Sequence, residues 1–468
     1  MAVKKPPRRL SYEPIIRDSN MSDFHKVAFI ICAFVMIREF RPVEPFFTSY
    51  LTSPPLNFTT EIVNEKIYPI GTYASCSFAI VLFLITDYLR YKPVIILDAI
   101  TGILTYLLLF GKPELSIFYV EQLFYGFFYS SDVACNTYLY AKVEDSSLYQ
   151  KITGYVRASS LLGKFISGIF AQSAVSFRIF SKSDLVYFST GGMVLATLWS
   201  FFVPSVDHSI YFHTIEKKVI QITGKNDDVE DNKVEEKVIT IIKSQKLLDV
   251  GKRLVHDFRA AYTNIYVLKW SLWWAFALCG FFFVNTYSQV LWQITAKEHN
   301  EGSDGNVDDY LMNGAVDSTY TILSALGAYL ISQLKIDWKT HGDWILSLVS
   351  FSLALIVVLH YWSHSLLFIY PGYITFGLIF QTMLTIAQSE VAQNIEKDSY
   401  ALIFGFNTFA ALGLGCIITY TVIGGNLIYL STREQFLFYG AYFTAITIFF
   451  VIVAVISATR RWISAIEL

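Results

Sequence analysis

The sequence is poor in charge. Only 16% of its 468 residues are Asp, Glu, Lys or Arg, against about 25% in soluble domains. The net charge is −2, so no global field attracts nucleic acid or an acidic partner. Cysteine is scarce as well. All five (Cys32, Cys76, Cys135, Cys279 and Cys416) fall inside apolar stretches. An odd count with none in an outer loop argues against a disulfide framework and against a zinc site. No phosphate-cradling loop is present: Gly163-Lys164 and Gly251-Lys252 lack both the upstream Gly and the following Ser or Thr. Neither a Gly-x-Ser-x-Gly elbow nor a His-Glu-x-x-His pair occurs. His360 and His364 stand four apart without an accompanying Glu and read as a solvated pair at a membrane interface. The expectation is therefore no enzyme, no catalytic residue, no metal and no cofactor. No cleavable signal is expected either, because the N-terminal stretch stays polar and basic to Lys26 and then leads into a full span.

What is abundant is apolar and aromatic. Hydrophobic residues make up 54% and aromatics 17%, with a mean hydropathy of +0.45. They come in runs of about 20, the length that crosses a bilayer. The runs predict twelve spans, roughly 27–50, 67–89, 93–111, 115–140, 157–177, 185–204, 266–292, 311–333, 344–362, 365–392, 400–424 and 435–458. Small residues such as Gly163, Gly168, Gly191 and Gly192 permit close helix contact. The expected fold class is an all-α membrane protein with twelve transmembrane helices in two six-helix halves. The expected organisation is a cytoplasmic tail (1–26), a first bundle (27–205), a cytoplasmic linker (206–263), a second bundle (264–458) and a cytoplasmic tail (459–468).

The linker begins acidic, around Asn226 to Asn232. It then turns amphipathic, with Val238, Ile241, Ile242, Leu247, Leu248, Val255 and Phe258 spaced among lysines. Two readings stand side by side: a cytoplasmic helix brushing the membrane or the bundle, and a plain connection between halves. Orientation follows from basic residues. With both termini inside, the outer loops hold only Lys66, Lys112, Arg178, Lys182, Lys297 and Arg433 of the 36 Lys and Arg. The sequon Asn57-Phe58-Thr59 then lies in the first outer loop, where glycosylation can occur. A second match, Asn20-Met21-Ser22, lies inside.

Ionisable groups within a span are costly and mark function by default. The candidates are Arg38, Glu39, Arg41, Glu44, Asp98, Glu121, Asp132, Lys164, Asp317 and Glu390. Glu44 lies between Pro42 and Pro45. Prolines that close break a helix and free backbone carbonyls, which suits a cavity lining. Arg38 and Arg41 are expected to snorkel or pair locally. Asp132 and Lys164 are expected to form a buried pair that neutralises both and sets the charge of an inner cavity. Glu390 is expected at an inner gate or a loop contact. Trp270, Trp273 and Trp274 read as an interface anchor. Tyr68, Tyr73 and Tyr125 stand in polar contexts where they could stack on a planar heterocycle, each worth ~0.5–2 kcal/mol with a cationic ring.

Several strings resemble one family. They are Arg41-Pro42-Val43-Glu44-Pro45-Phe46, Thr86-Asp87-Tyr88-Leu89-Arg90-Tyr91-Lys92-Pro93-Val94, Tyr149-Gln150-Lys151-Ile152-Thr153-Gly154-Tyr155, Trp270-Ser271-Leu272-Trp273-Trp274, Asn313-Gly314-Ala315 and Ala401 through Phe409. In order, they are similar to the folate and thiamine carriers over nearly the whole span region. The resemblance implies a major-facilitator fold, alternating access and vitamin uptake at the plasma membrane, driven by an ion gradient or an exchanged anion. It also implies a small-molecule vitamin partner in a lipid bilayer, with no nucleic acid. Folate carriers place an Arg where this chain has Asp132, and basic residues where it has Gly377 and Gly415. Thiamine carriers place an acidic residue at Asp132 and share Glu44, Tyr125 and Asn313. They differ in having Trp at Gly71, Glu at Gln122 and Tyr at Lys164. The substrate-binding set implied is Glu44, Tyr68, Gln122, Tyr125, Asp132, Lys164 and Asn313. Glu44 takes a donor group of the substrate, Tyr68 and Tyr125 stack on its ring, and Gln122 and Asn313 bond its ring nitrogens. The leading substrate is thiamine or a related heterocycle. Reduced folate and a non-transporting vitamin sensor are the alternatives.

Overall fold

The computed structural model describes residues 18–468 except 133, 135–137, 139–141, 143–148, 207, 208, 210, 225–232, 245, 301–310, 334–336, 397, 398, 425, 426, 467 and 468. The described residues open with helix α1 (Asp18–Arg38). It cannot continue through Pro42, which has no amide hydrogen to donate. The chain restarts as a tight turn, Glu44–Phe46, and a six-residue helix, Phe47–Thr52. The backbone amides released by the break are not left bare. Arg41 N donates to Ser167 Oγ at 2.9 Å and Val43 N to Ser189 Oγ at 3.0 Å, the re-satisfaction a broken helix in an apolar medium needs.

A short lead-in, Thr60–Ile62 then Val63–Ile67, enters α2 (Tyr68–Tyr88), with Pro69 in its first turn where no amide is missed. Next come α3 (Lys92–Leu107), again started by a proline, α4 (Leu115–Ser130), α5 (Tyr149–Ser176) and α6 (Asp184–Ser200). The string from Asp87 to Pro93 is the turn between α2 and α3. Arg90 and Tyr91 hold left-handed backbone there, with φ of 59° and 68°. Asp87 reaches across that turn, accepting from Tyr91 Oη at 2.6 Å and from the amides of Tyr211 and Phe212 at 3.1 and 2.9 Å.

The central segment departs from the expectation of an amphipathic helix over its first part. β1 (His213–Gly224) and β2 (Lys233–Ser244) pair antiparallel, His213 opposite Ser244 and Gly224 opposite Lys233. Val238, Ile241 and Ile242 therefore sit on a strand. Only Leu247, Leu248, Val255 and Phe258 lie on the helix α7 (Leu247–Thr263). This helix docks on the second half of the chain, where Tyr262 Oη donates to Asn407 Oδ1 at 2.7 Å.

The second half contains α8 (Ile265–Asn300), α9 (Asn313–Gln333), α10 (Trp338–Trp362), α11 (Leu366–Gln393), α12 (Tyr400–Ile418) with a wider turn at Thr419–Ile423, and α13 (Thr432–Ile466). Asp337 caps α10, its Oδ1 accepting from Lys339 N at 3.1 Å. Among the described residues, five helical stretches are long and apolar enough to cross a membrane: Ile265–Glu298, Trp338–Trp362, Leu366–Gln393, Tyr400–Ile423 and Thr432–Ile463. Of the fourth expected span, 115–140, the inner part lies largely outside the described residues, as does Cys135.

Contacts sort the helices into two groups. α1 packs on α5 and α6, α2 on α4, and α3 on α4 and α6; α8 packs on α11, α12 and α13, and α10 on α13. The groups meet along two seams, α5 against α9 and α2 against α12. The first seam is close because it is glycine on glycine. A Cβ on Gly314 would stand 2.7 Å from Gly168 O, and one on Gly168 would stand 2.8 Å from Gly314 O. Gly163 and Gly192 also face backbone, of Met36 and Phe40, whereas Gly191 faces open space and makes no close contact.

Two expectations about aromatics and histidine are corrected. Trp270, Trp273 and Trp274 are at most 2% exposed and belong to the core of the second group, not to an interface belt. Trp273 Nε1 donates to Ser350 Oγ at 3.0 Å. Nor are His360 and His364 a solvated pair. His360 is buried against Ile369 O at 3.1 Å, while His364 is exposed and meets Glu298 at 2.9 Å.

Candidate functional site

Between the two groups lies a cavity of about 290 Å³. Its walls come from the break after α1, from α2 to α5, and from α8, α9, α11 and α12. The α1 break puts Glu44 at the wall with its side chain one-third exposed. Arg41 Nη1 donates to Glu44 Oε1 at 2.6 Å and Tyr106 Oη to the same oxygen at 2.8 Å. The carboxylate is thus aimed by a cation and a phenol while part of it stays open to the cavity.

Behind Glu44 runs a charged chain. Arg41 Nη2 donates to Glu39 Oε2 at 2.5 Å, and Arg38 Nη1 to Glu39 Oε1 at 3.2 Å. Arg38 also grips Asp98 with two prongs, at 2.7 and 2.9 Å, and donates to Phe128 O at 2.8 Å. Ser131 Oγ completes Asp98 at 2.5 Å. Both guanidiniums lie over the Phe128 ring, at 4.2 and 5.1 Å from its centroid. Arg38 and Arg41 therefore pair rather than snorkel.

The expected Asp132–Lys164 pair is replaced by two others. Asp132 Oδ1 stands 3.4 Å from Arg38 Nη1, and Lys164 Nζ stands 3.8 Å from Glu39 Oε2. The reason is that Arg38 and Glu39, adjacent at the end of α1, offer each group an opposite charge, Arg38 to Asp132 and Glu39 to Lys164.

Of the expected binding residues, Glu44, Tyr68, Gln122, Tyr125 and Lys164 line the cavity. Tyr68 Oη shares a hydrogen bond with Thr48 Oγ1 at 2.6 Å, and its ring meets Tyr287 edge-on at 5.8 Å. Tyr125 stacks along Tyr129 at 6.1 Å. Gln122 Nε2 donates to Glu121 Oε2 at 2.9 Å, and its carbonyl lies over Gly71 where a larger residue would need space. Tyr73, Asp132 and Asn313 are not among the lining residues. Asn313 is buried and accepts from Tyr370 Oη at 3.3 Å. Glu390 accepts from Tyr266 Oη at 2.5 Å, away from the cavity.

The wall also holds residues outside the expected set. Glu39, Glu121 and Asp317 could be noticed as ionisable groups within spans. Tyr106, Tyr129, Gln289 and Trp292 carry no signal that separates them from other residues of apolar helices. Gln289 ties the groups together at the Glu44 end: its Nε2 donates to Glu44 O at 2.8 Å and its Oε1 accepts from Thr48 N at 3.2 Å. In all, the lining carries the carboxylates of Glu39, Glu44, Glu121 and Asp317 against the bases Arg41 and Lys164.

A polar, ring-lined chamber between two groups of apolar helices, with ionisable side chains held inside, defines a membrane carrier of small solutes. The comparisons agree. The nucleoside transporter NupG shares the fold, with a TM-score of 0.57 and 12% identity over 92% of this chain and 98% of that one. Thiamine transporter 1 of Homo sapiens is 31% identical over 92% of this chain and 90% of its own length. Folate transporter 1 of Caenorhabditis elegans is 32% identical over 92% and 91%. The reduced folate carrier family matches residues 22–438, and the chain belongs to that family.

Proposed function

We propose that this chain is a multi-pass vitamin transporter that moves thiamine or a related cationic heterocycle by alternating access, not an enzyme. The observation that carries the reading is the acid excess of a cavity walled with tyrosines: four carboxylates against two bases. A cationic ring gains there from charge and from stacking, each good ring contact being worth ~0.5–2 kcal/mol. Glu44 takes the positive charge or a donor group. Tyr68 and Tyr125 flank the ring, and Gln122 bonds a ring nitrogen. Asp132 acts through Arg38 rather than by contact, and Asn313 acts by fixing Tyr370. The relatives named for thiamine support this choice. Reduced folate is the second reading. Lys164, half exposed at the cavity wall, is a receptor for a carboxylate, and a relative of similar identity is named for folate.

In this reading the helices α1 to α6 and α8 to α13 provide twelve spans in two bundles, residues 27–205 and 264–458, with both termini and the 206–263 linker in the cytoplasm. The Glu44 end then faces outward, so the Gln289 tie closes the cavity to the outside. The expected site is the plasma membrane, with a glycan on Asn57, which is exposed in a loop. The halves rock about the α5–α9 and α2–α12 seams.

Uptake of labelled thiamine and labelled folate, measured in parallel in transporter-deficient cells expressing the chain, tests the proposal. Saturable thiamine uptake exceeding folate uptake is the expected result. The reverse order establishes folate as the substrate. Binding to purified protein without flux in liposomes makes it a sensor, and no interaction with either vitamin removes the reading.

A further inference from the structure

Lys164 and Asp317 face one cavity from opposite sides of the tightest seam. α5 and α9 cross there glycine on glycine, and the residue after each ionisable group joins the seam: Ser318 Oγ donates to Phe165 O at 3.2 Å. Both side chains line the cavity. Their present partners are unequal. Glu39, the carboxylate beside Lys164, already accepts from Arg41 at 2.5 Å and from Arg38 at 3.2 Å. Its hold on Lys164 is loose, at 3.8 Å, and the Lys164 side chain remains 47% exposed. Two fixed guanidiniums repel the ammonium from that side. Asp317, by contrast, has no ion pair within 4.0 Å among the described residues. The Asp317 carboxylate does meet the Tyr373 hydroxyl, a neutral donor that leaves its charge uncompensated. A lysine stem is long and flexible, so the ammonium can swing from the crowded acid to the uncompensated one.

We propose that Lys164 is a built-in stand-in for the cationic substrate, competing with it for Asp317 across the seam between the two halves. The ammonium is shared between Glu39, where it stands at 3.8 Å, and Asp317, which it reaches by swinging its stem. A cation bound at Asp317 confines Lys164 to the Glu39 position that the structure shows. Affinity for a cation is then reduced by the fraction of time that Lys164 occupies the acid. An anionic solute gains instead, because the half-exposed Lys164 ammonium can receive it. This inference rests on the cationic-substrate reading above.

The test is binding of thiamine and of folate to the purified full-length chain, by scintillation proximity, for wild type, Lys164→Met, Lys164→Arg, Asp317→Asn and the double variant Lys164→Met with Asp317→Asn. Lys164→Met is expected to tighten thiamine binding by about fivefold to tenfold, a coupling of ordinary allosteric size, and to weaken folate. Lys164→Arg keeps the competing charge and stays near wild type. On the Asp317→Asn background, Lys164→Met changes thiamine affinity by less than about twofold. Two outcomes overturn the proposal: thiamine bound no tighter by Lys164→Met, or a gain that survives without Asp317. If no variant binds thiamine at all, the fault lies with the substrate reading and the competition falls with it. Thiamine bound by wild type but unmoved by Lys164→Met defeats the competition alone.

Discussion

Replacing Arg38 with methionine is expected to cost about 3–5 kcal/mol of stability, the usual penalty for leaving one member of a buried ion pair alone. Arg38 is 3% exposed and Asp98 0%. The guanidinium is the two-pronged partner of Asp98 and also satisfies Glu39, Asp132 and Phe128 O. Its loss leaves Asp98 with Ser131 Oγ as its remaining side-chain donor among the described residues. The measurable consequence is a lower melting temperature in detergent and a smaller monodisperse peak by fluorescence-detected gel filtration. The double variant Arg38→Met with Asp98→Asn should recover much of the loss, since no buried carboxylate is then stranded. A single variant as stable as wild type would show that water reaches Asp98 and that the network is not buried.

Glu44→Gln is expected to reduce thiamine uptake at low substrate concentration by about tenfold to a hundredfold, the equivalent of a hydrogen bond to a charged group. The substitution preserves shape. A glutamine oxygen still accepts from Tyr106, and Arg41 keeps Glu39 at 2.5 Å. The melting temperature should therefore change little. What disappears is the charge offered to the substrate, so the defect should be larger for a cationic vitamin than for an anionic one. Equal loss for both, with a fall in stability, would make Glu44 a structural group of the α1 break.

Most helix positions were legible because apolar runs have a length, and length is what a bilayer selects. The break at Pro42 and Pro45 was legible for an equally local reason, the missing amide. Partner choice was not. Asp132 and Lys164 looked like neighbours, yet the rotation of a helix that is apolar nearly all round is fixed by packing and not by its own pattern. The two acidic and basic groups turned instead toward Arg38 and Glu39. The same ambiguity hid Trp270, Trp273 and Trp274, whose bulk fills a core as readily as it anchors an interface. In the linker a signal existed and was outweighed. Val238, Ile239, Thr240, Ile241 and Ile242 are five β-branched residues in succession, and they oppose Val219, Lys218, Lys217, Glu216 and Ile215 in the strand pair. β-Branching favours extended chain, whereas the apolar spacing alone suggested a helix.

Trp292 has a use beyond packing. It is 1% exposed to bulk solvent yet forms part of the chamber wall, edge-on to Tyr370 and Tyr373 at 5.1 and 5.0 Å. An indole in that position emits light from within the translocation path, so a passing aromatic cation should dim it. The chain has nine tryptophans, so occupancy is read in unlabelled protein as the part of the quenching that Trp292→Phe removes.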